Sequence, residues 1–309
     1  MRVVFWGTPE FAAPALRALV GEGFDVVGVV TQPDKPQGRS RSELVASAVK
    51  EVALEEEIPI LQPQRPRGPE FVASIREFAP DISVVVAYGH ILPRDVIDIP
   101  RQGTVNIHAS LLPALRGAAP IQAAIREGFT ETGVTIMRMV EALDAGPILH
   151  QETVPILADE TYGELQLRLA ELGAQALIDA LALLEAGALH ENPQDETRAT
   201  YAHKVTRETA RIDWTRPASE IARMIRAYDP KPGAWANLRS IDTRLFGART
   251  VAGRSAPPGT VIEAGKEGLL VGAGSDAVQI SFAQPAGKKR LSAQEMVAGR
   301  LVAAGDVLA

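Results

Sequence analysis

Hydrophobic and polar positions fall into two regimes along the 309-residue chain. In the first, short apolar runs alternate with stretches of helical period. Val3–Trp6, Asp25–Val30 and Asp81–Ala87 are nearly continuous apolar runs, the pattern of parallel strands buried on both faces. Helices are predicted between them, at about Glu10–Leu19, Glu43–Glu56 and from Pro69 to about Phe78, with a short strand at Ile58–Leu61. Thr104–His108 alternates: Val105 and Ile107 share one face, Asn106 and His108 the other. Pro113 ends that run, and a helix of small residues is predicted at about Ala118–Glu127. Thr132–Met139 alternates as well. Ile148–Val154 follows after a short connection, which predicts an antiparallel pair. Thr161–Glu185 carries Leu165, Leu169, Leu172, Leu177, Leu181 and Leu184 close to one helical stripe. Strands alternating with helices make this an α/β unit, Rossmann-like, on a mostly parallel sheet.

The second regime starts after His190–Thr200, a polar stretch with Pro193 and almost nothing to bury. A linker is predicted over 190–205, dividing a domain at 1–189 from one at 206–309. Pro217–Tyr228 reads as a helix, with Ile221, Met224, Ile225 and Tyr228 on one face. Beyond it come short strands at Ala234–Leu238, Arg244–Phe246, Gly259–Glu263, Leu269–Val271 and Ala277–Phe282, then a short helix at about Ser292–Arg300. Five short strands punctuated by Gly and Pro predict a small OB-like β-barrel.

Charge changes this picture more than bulk composition does. Residues 1–200 carry 16 basic and 28 acidic side chains, while residues 201–309 carry 16 and 10, so a net charge of −6 conceals a basic C-terminal domain. Such asymmetry points to nucleic acid or a membrane surface, or to simple solubility. The chain has no cysteine, which excludes thiolate nucleophiles, disulfides and cysteine metal sites. No apolar run approaches the roughly 18 residues of a membrane span, and the chain opens directly on a strand, so a cytoplasmic location is expected.

Candidate chemistry gathers at Asn106 and His108, which leave one strand side by side into the Ser110-Leu111-Leu112-Pro113 loop. Ligands of open α/β sheets bind at such carboxyl ends. An amide donor beside an imidazole suits stabilisation of an oxyanion on a carbonyl carbon. Asp144, in a glycine-containing loop, is the candidate carboxylate to orient that imidazole. Each residue alone also fits a plain structural role, as a strand-end cap or an Asx-turn. The first turn, Gly7-Thr8-Pro9, lacks the G-x-G-x-x-G fingerprint and disfavours a dinucleotide cofactor. The remaining histidines are scattered singly, and no metal is assigned. The loop Thr31–Ser42, with Lys35, Arg39 and Arg41, is long for a βα connection, which leaves a functional loop and a solvated one both open.

The motifs Asn106-x-His108, Ser110–Pro113, Arg116-Gly117-Ala-Ala-Pro120 and Asp144 resemble those of the formyltransferases that use 10-formyltetrahydrofolate. Gly7–Pro9, Thr31–Asp34, Val85–Gly89 and Thr132–Ile136 extend the likeness. Ala210–Trp214 and Pro285–Lys289 narrow it to the branch that formylates methionyl-initiator tRNA. The resemblance implies a catalytic set of Asn106, His108 and Asp144. It implies a folate pocket from Ser110, Leu111, Leu112, Pro113, Val86, Tyr88 and Gly89. It also implies tRNA contacts from Lys35, Arg39, Arg41, Lys204, Arg207, Lys288 and Lys289. The co-substrate would be 10-formyltetrahydrofolate, without metal, and the acting chain a monomer. Departures from the family pattern are Ala114, where a basic residue is common, and Ser42 with Ala46-Ser47-Ala48, where the insertion is usually more basic. The alternatives are a formyltransferase acting on a sugar-nucleotide amine and a non-catalytic RNA-binding protein; a nicotinamide oxidoreductase is disfavoured by the missing glycines.

Overall fold

The computed structural model describes residues 1–37 and 43–309. Its N-terminal elements run in chain order as β1 (Arg2–Gly7), α1 (Ala13–Gly21), β2 (Asp25–Val30), β3 (Lys35–Gln37), β4 (Glu43–Val45), α2 (Ala48–Glu55), β5 (Ile60–Leu61), α3 (Pro69–Glu77), β6 (Ile82–Val86), α4 (Arg94–Ile97), β7 (Thr104–His108), β8 (Arg116–Gly117), α5 (Pro120–Glu127), β9 (Glu131–Arg138), β10 (Ile148–Pro155) and α6 (Tyr162–Glu185). The helix expected over Glu43–Glu56 is shorter than its apolar pattern suggests. Residues 43–45 pair with 35–37 as a small antiparallel ribbon, and Ser47 then caps α2 by accepting the Lys50 N–H at 3.1 Å.

A seven-stranded sheet has the order β10-β9-β7-β6-β1-β2-β5. β1, β2, β5, β6 and β7 are mutually parallel, and β9 returns antiparallel to β7. The chain moves outward from β1 to β2 and β5, then crosses back to β6 and β7, so the order reverses between β1 and β6. That reversal is where open α/β sheets hold ligands. The strands are as buried as their runs predict: Val3, Val4, Phe5 and Trp6 are wholly inaccessible. Trp6 meets Tyr88 edge-on at 5.5 Å, and its indole N–H donates to Ser83.

α6 explains which face of β7 is free for chemistry. Its Leu169, Leu177 and Leu181 are buried, while Leu172 and Leu184 are only half so. Gly173 brings the helix so close that a Cβ there would stand 2.9 Å from Ile107 Cγ2. The helix thus covers the Val105/Ile107 face and leaves Asn106 and His108 on the opposite one.

Two compact units result: residues 1–117, 133–154 and 166–201 form one, and residues 118–132, 155–165 and 202–309 the other. After β11 (Tyr201–Ala202) the second unit contains α7 (Ala218–Ala227), β12 (Ala234–Leu238), β13 (Ile241–Val251), β14 (Val261–Gly265), β15 (Gly268–Gly272), β16 (Ala277–Pro285), β17 (Leu291–Ser292) and α8 (Ala293–Ala298). Its antiparallel sheet has the order β12-β13-β16-β15-β14, with β17 beside β16. The last residues join its edges: Leu308 bridges Leu238 of β12, and Val307 bridges Thr260 next to β14. This closure gives the expected barrel character to the sheet. β13 is much longer than the Arg244–Phe246 run that marked it, because its outward positions are charged or small and dilute the apolar signal. No described helix is long and apolar enough to cross a membrane.

Candidate active site at the ends of the central strands

β6 and β7 end side by side, with Val85 opposite Asn106. Asn106 is half-buried and His108 is 6% exposed. The imidazole is held from both sides. Its Nε2 lies 3.0 Å from the Leu115 carbonyl, an acceptor only, so Nε2 carries a proton. Its Nδ1 faces Asp144 Oδ2 at 3.7 Å. The same carboxylate oxygen accepts the Gly117 N–H at 2.7 Å. A doubly protonated ring therefore has an acceptor on each side, and Asn106 lies two residues away on the same strand face.

The backbone at the two partners is unusual. Leu115 and Asp144 both adopt left-handed conformations, with φ of 60° and 49°. Non-glycine residues there persist only where the surroundings impose them. Gly146 supplies part of that constraint: a Cβ at this position would strike the Arg138 carbonyl, so the 140–147 loop lies flat against the end of β9.

The Ser110–Pro113 loop is folded by polar contacts. Ser110 Oγ donates to Ala114 O at 2.6 Å, and Thr135 Oγ1 donates to Ser110 O at 2.7 Å. Thr135 Oγ1 in turn accepts the Leu112 N–H, and Gln151 Nε2 donates to Leu112 O. The Leu112–Pro113 peptide is cis. Ser110, Leu112 and Val86 are buried, whereas Leu111 and Pro113 are half-buried and Gly89 is exposed with φ of 84°. The Tyr88 ring turns into the core among Val4, Trp6, Val30 and Val85. Burial pushes its phenol up to about 12, and the hydroxyl has no hydrogen-bond partner. Its carbonyl, by contrast, receives Gln32 Nε2 at 2.9 Å and the Thr8 hydroxyl at 3.3 Å. Among the residues expected to meet folate, Leu111, Pro113 and Gly89 therefore offer accessible surface, and Tyr88 points its side chain elsewhere.

The basic residues are spread over both units. Lys35 is exposed on β3 and donates to Gln32 Oε1 at 2.7 Å, while Arg39 and Arg41 lie outside the described residues. Lys204, Arg207, Lys288 and Lys289 are all exposed in the second unit. Arg207 pairs with Asp242 and stacks over Trp235 at 4.5 Å, and the Asp242 carbonyl accepts the Ala286 N–H. Asp242 thus brings Arg207 and the turn bearing Lys288 and Lys289 to one edge of the barrel.

Sequence reasoning missed the residues that hold this site. The polar stretch after α6 carries Gln194 and Glu196, both bonded to Arg116, whose side chain is 2% exposed. Their signal was a cluster of polar side chains where a tether needs none in particular. Among the described residues, no group of three His, Asp or Glu is arranged to hold a metal ion.

Residues 1–181 match the profile of the formyl transferase family, and residues 204–301 match that of the formyl transferase C-terminal domain. The chain belongs to the formyl transferase family. This formyltransferase is 47% identical over 310 residues to the methionyl-tRNA formyltransferase of Pseudomonas putida (strain GB-1), covering 100% of this chain and 99% of that one. It is 49% identical over 306 residues to the protein of the same name from Aromatoleum aromaticum, covering 99% and 96%. Its fold is like that of HypX from Aquifex aeolicus in complex with tetrahydrofolic acid, with a TM-score of 0.67, 20% identity, and coverage of 97% of this chain and 47% of that one. It is also like that of WlaRD, a sugar 3N-formyl transferase, with a TM-score of 0.68, 18% identity, and coverage of 94% and 99%.

Proposed function

We propose that this formyltransferase moves the formyl group of 10-formyltetrahydrofolate from N10 to the α-amine of methionine esterified to initiator tRNA. The observation that carries the reading is identity of 47–49% over nearly the whole length of relatives named methionyl-tRNA formyltransferase, basic C-terminal domain included. The sugar-amine alternative has only fold likeness at 18% identity in its favour.

The residues fit a formylated folate. Leu111 and Pro113 offer an apolar lip, and Gly89 leaves backbone accessible at the neighbouring strand end, so a flat ring can lie with its formyl group toward Asn106 and His108. The neutral amine attacks the formyl carbon, and a C–N bond forms as the carbonyl electrons move to oxygen. Asn106 Nδ2 donates to that oxyanion, and protonated His108, its two N–H groups turned to Leu115 O and Asp144, stabilises it as a neighbouring positive charge. Asp144 holds the ring by its Nδ1 side and orders a water that carries the ammonium proton to the departing N10 as the old C–N bond breaks. A reference α-amine titrates at roughly 7.7–8.0, so an appreciable part is neutral at physiological pH without a strong base.

Lys204, Arg207, Lys288 and Lys289, with Lys35, Arg39 and Arg41 from the insertion, neutralise tRNA phosphates. The chain acts as a monomer in the cytoplasm. Steady-state kinetics test the reading: formyl-methionyl-tRNA should form from 10-formyltetrahydrofolate, and an amino-sugar nucleotide should not serve as acceptor. Turnover with the amino-sugar and none with charged tRNA would reverse the assignment.

A further inference from the structure

We propose that residues 192–200 form a strap that positions His108 by holding both of its partners, with Gln194 and Thr200 as the positioning residues. This rests on the catalytic reading of His108 and Asp144.

The strap begins at Asn192, which exchanges two backbone hydrogen bonds with Ile148, at 2.8 and 2.9 Å. Gln194 then uses both ends of its amide. Nε2 donates to the carbonyls of Asp144 and Gly146, each at 2.8 Å. Oε1 accepts from Arg116 Nη2 at 2.7 Å and Nε at 3.1 Å. This fixes the amide orientation, because a flipped group would set its NH₂ against the guanidinium. Glu196 accepts from Arg116 Nη2 and Nη1 at 2.7 and 2.8 Å, a two-point pairing of the guanidinium. The strap ends at Thr200, whose Oγ1 accepts the Leu115 N–H at 2.8 Å and whose carbonyl accepts the Arg116 N–H at 2.8 Å.

Each partner of His108 is thus pinned from the same segment. Thr200 fixes Leu115, whose carbonyl receives His108 Nε2, and Gln194 fixes the loop whose Asp144 carboxylate faces Nδ1. Both partners have left-handed backbone conformations that an untethered loop would leave. A spacer between domains would need none of these contacts, and the strap's hydrogen bonds reach the partners of His108, Leu115 and the Asp144 loop.

The test uses two near-isosteric variants of the full chain. Gln194→Glu keeps the acceptor for Arg116 and replaces the donor to the two carbonyls. Thr200→Val removes the acceptor for the Leu115 N–H. The first readout is the ring ¹⁵N and ¹H signals of His108 in histidine-labelled protein, assigned by their loss in His108→Gln. The second is kcat and KM in the wild-type and Asp144→Asn backgrounds. We expect the His108 ring signals to shift in both variants, while the other four histidines stay in place. For Gln194→Glu we expect kcat to fall about tenfold or more, KM for 10-formyltetrahydrofolate to stay within twofold, and the loss to shrink below twofold on top of Asp144→Asn. His108 signals that superimpose on the wild type in both variants overturn the proposal, as does an equal loss in both backgrounds. Shifted signals together with full turnover of Asp144→Asn would uphold the strap and instead remove the catalytic reading of Asp144.

Discussion

In the proposed mechanism Asp144 carries the most weight, because one carboxylate oxygen faces the His108 ring and accepts the Gly117 N–H. Asp144→Asn should lower turnover by about 10²–10³ while equilibrium binding of folate stays near normal. Stopped-flow binding beside steady-state assays checks this, and near-normal turnover would remove the role. Tyr88 carries the opposite expectation. Its hydroxyl is buried and unpaired, so Tyr88→Phe should raise stability by about 1 kcal/mol or leave it level, with KM for formyl-folate unchanged. A rise in that KM would give the Tyr88 hydroxyl a part in folate binding. The meeting of His108 with Asp144 was legible in the sequence as a candidate, because Asn106 and His108 share a strand face and Asp144 lies in a glycine-containing loop. The turn of the Tyr88 ring into the core was not, since a residue just past a strand end has no fixed face to inherit.

The elements around the site were mostly legible for the same reason. β6 is buried throughout, β1 from Val3 on and β2 over Gly28–Val30, and α6 is 24 residues long with Leu165, Leu169, Leu177 and Leu181 on its buried side. The strap was not legible. Its work is done by polar side chains, whose partners lie about 50–85 residues away in the chain and leave no period to read. Glu196 makes the strap sensitive to acid. The Arg116 guanidinium holds its carboxyl below the usual range, so the stability it adds is present above about pH 4.3, the unfolded value, and is lost as pH falls through the folded one. Glu196→Gln should therefore flatten the loss of Tm between pH 6 and pH 3, as calorimetry would read; an unchanged slope would deny the pair its contribution. The flat packing of the 140–147 loop makes a further demand at Gly146. Gly146→Ala must displace the loop from Arg138, with a cost of about 1–3 kcal/mol in stability and a clear drop in kcat. Unchanged kcat would mean that Asp144 tolerates the shift.

At the scale of the whole molecule, an acidic α/β unit is joined to a basic closed sheet in one chain. The charge split and the change of strand spacing were visible in the sequence; closure of the second sheet by residues 307–308 was not, because so short a segment has no pattern of its own. Phosphate contacts from the basic unit should make KM for charged tRNA rise steeply with salt while KM for formyl-folate stays flat. Lys288→Ala with Lys289→Ala should lessen that slope by about 2. Equal salt dependence of both substrates would take tRNA away from the basic unit. The most direct measurement supplies the purified chain with 10-formyltetrahydrofolate and methionine charged on initiator or on elongator tRNA, and follows formyl-methionyl-tRNA over time. Rapid formylation of the initiator species, little of the elongator, and one tetrahydrofolate released per formyl group transferred are expected. Absence of formyl-methionyl-tRNA while formyl-folate is consumed would contradict the proposed function.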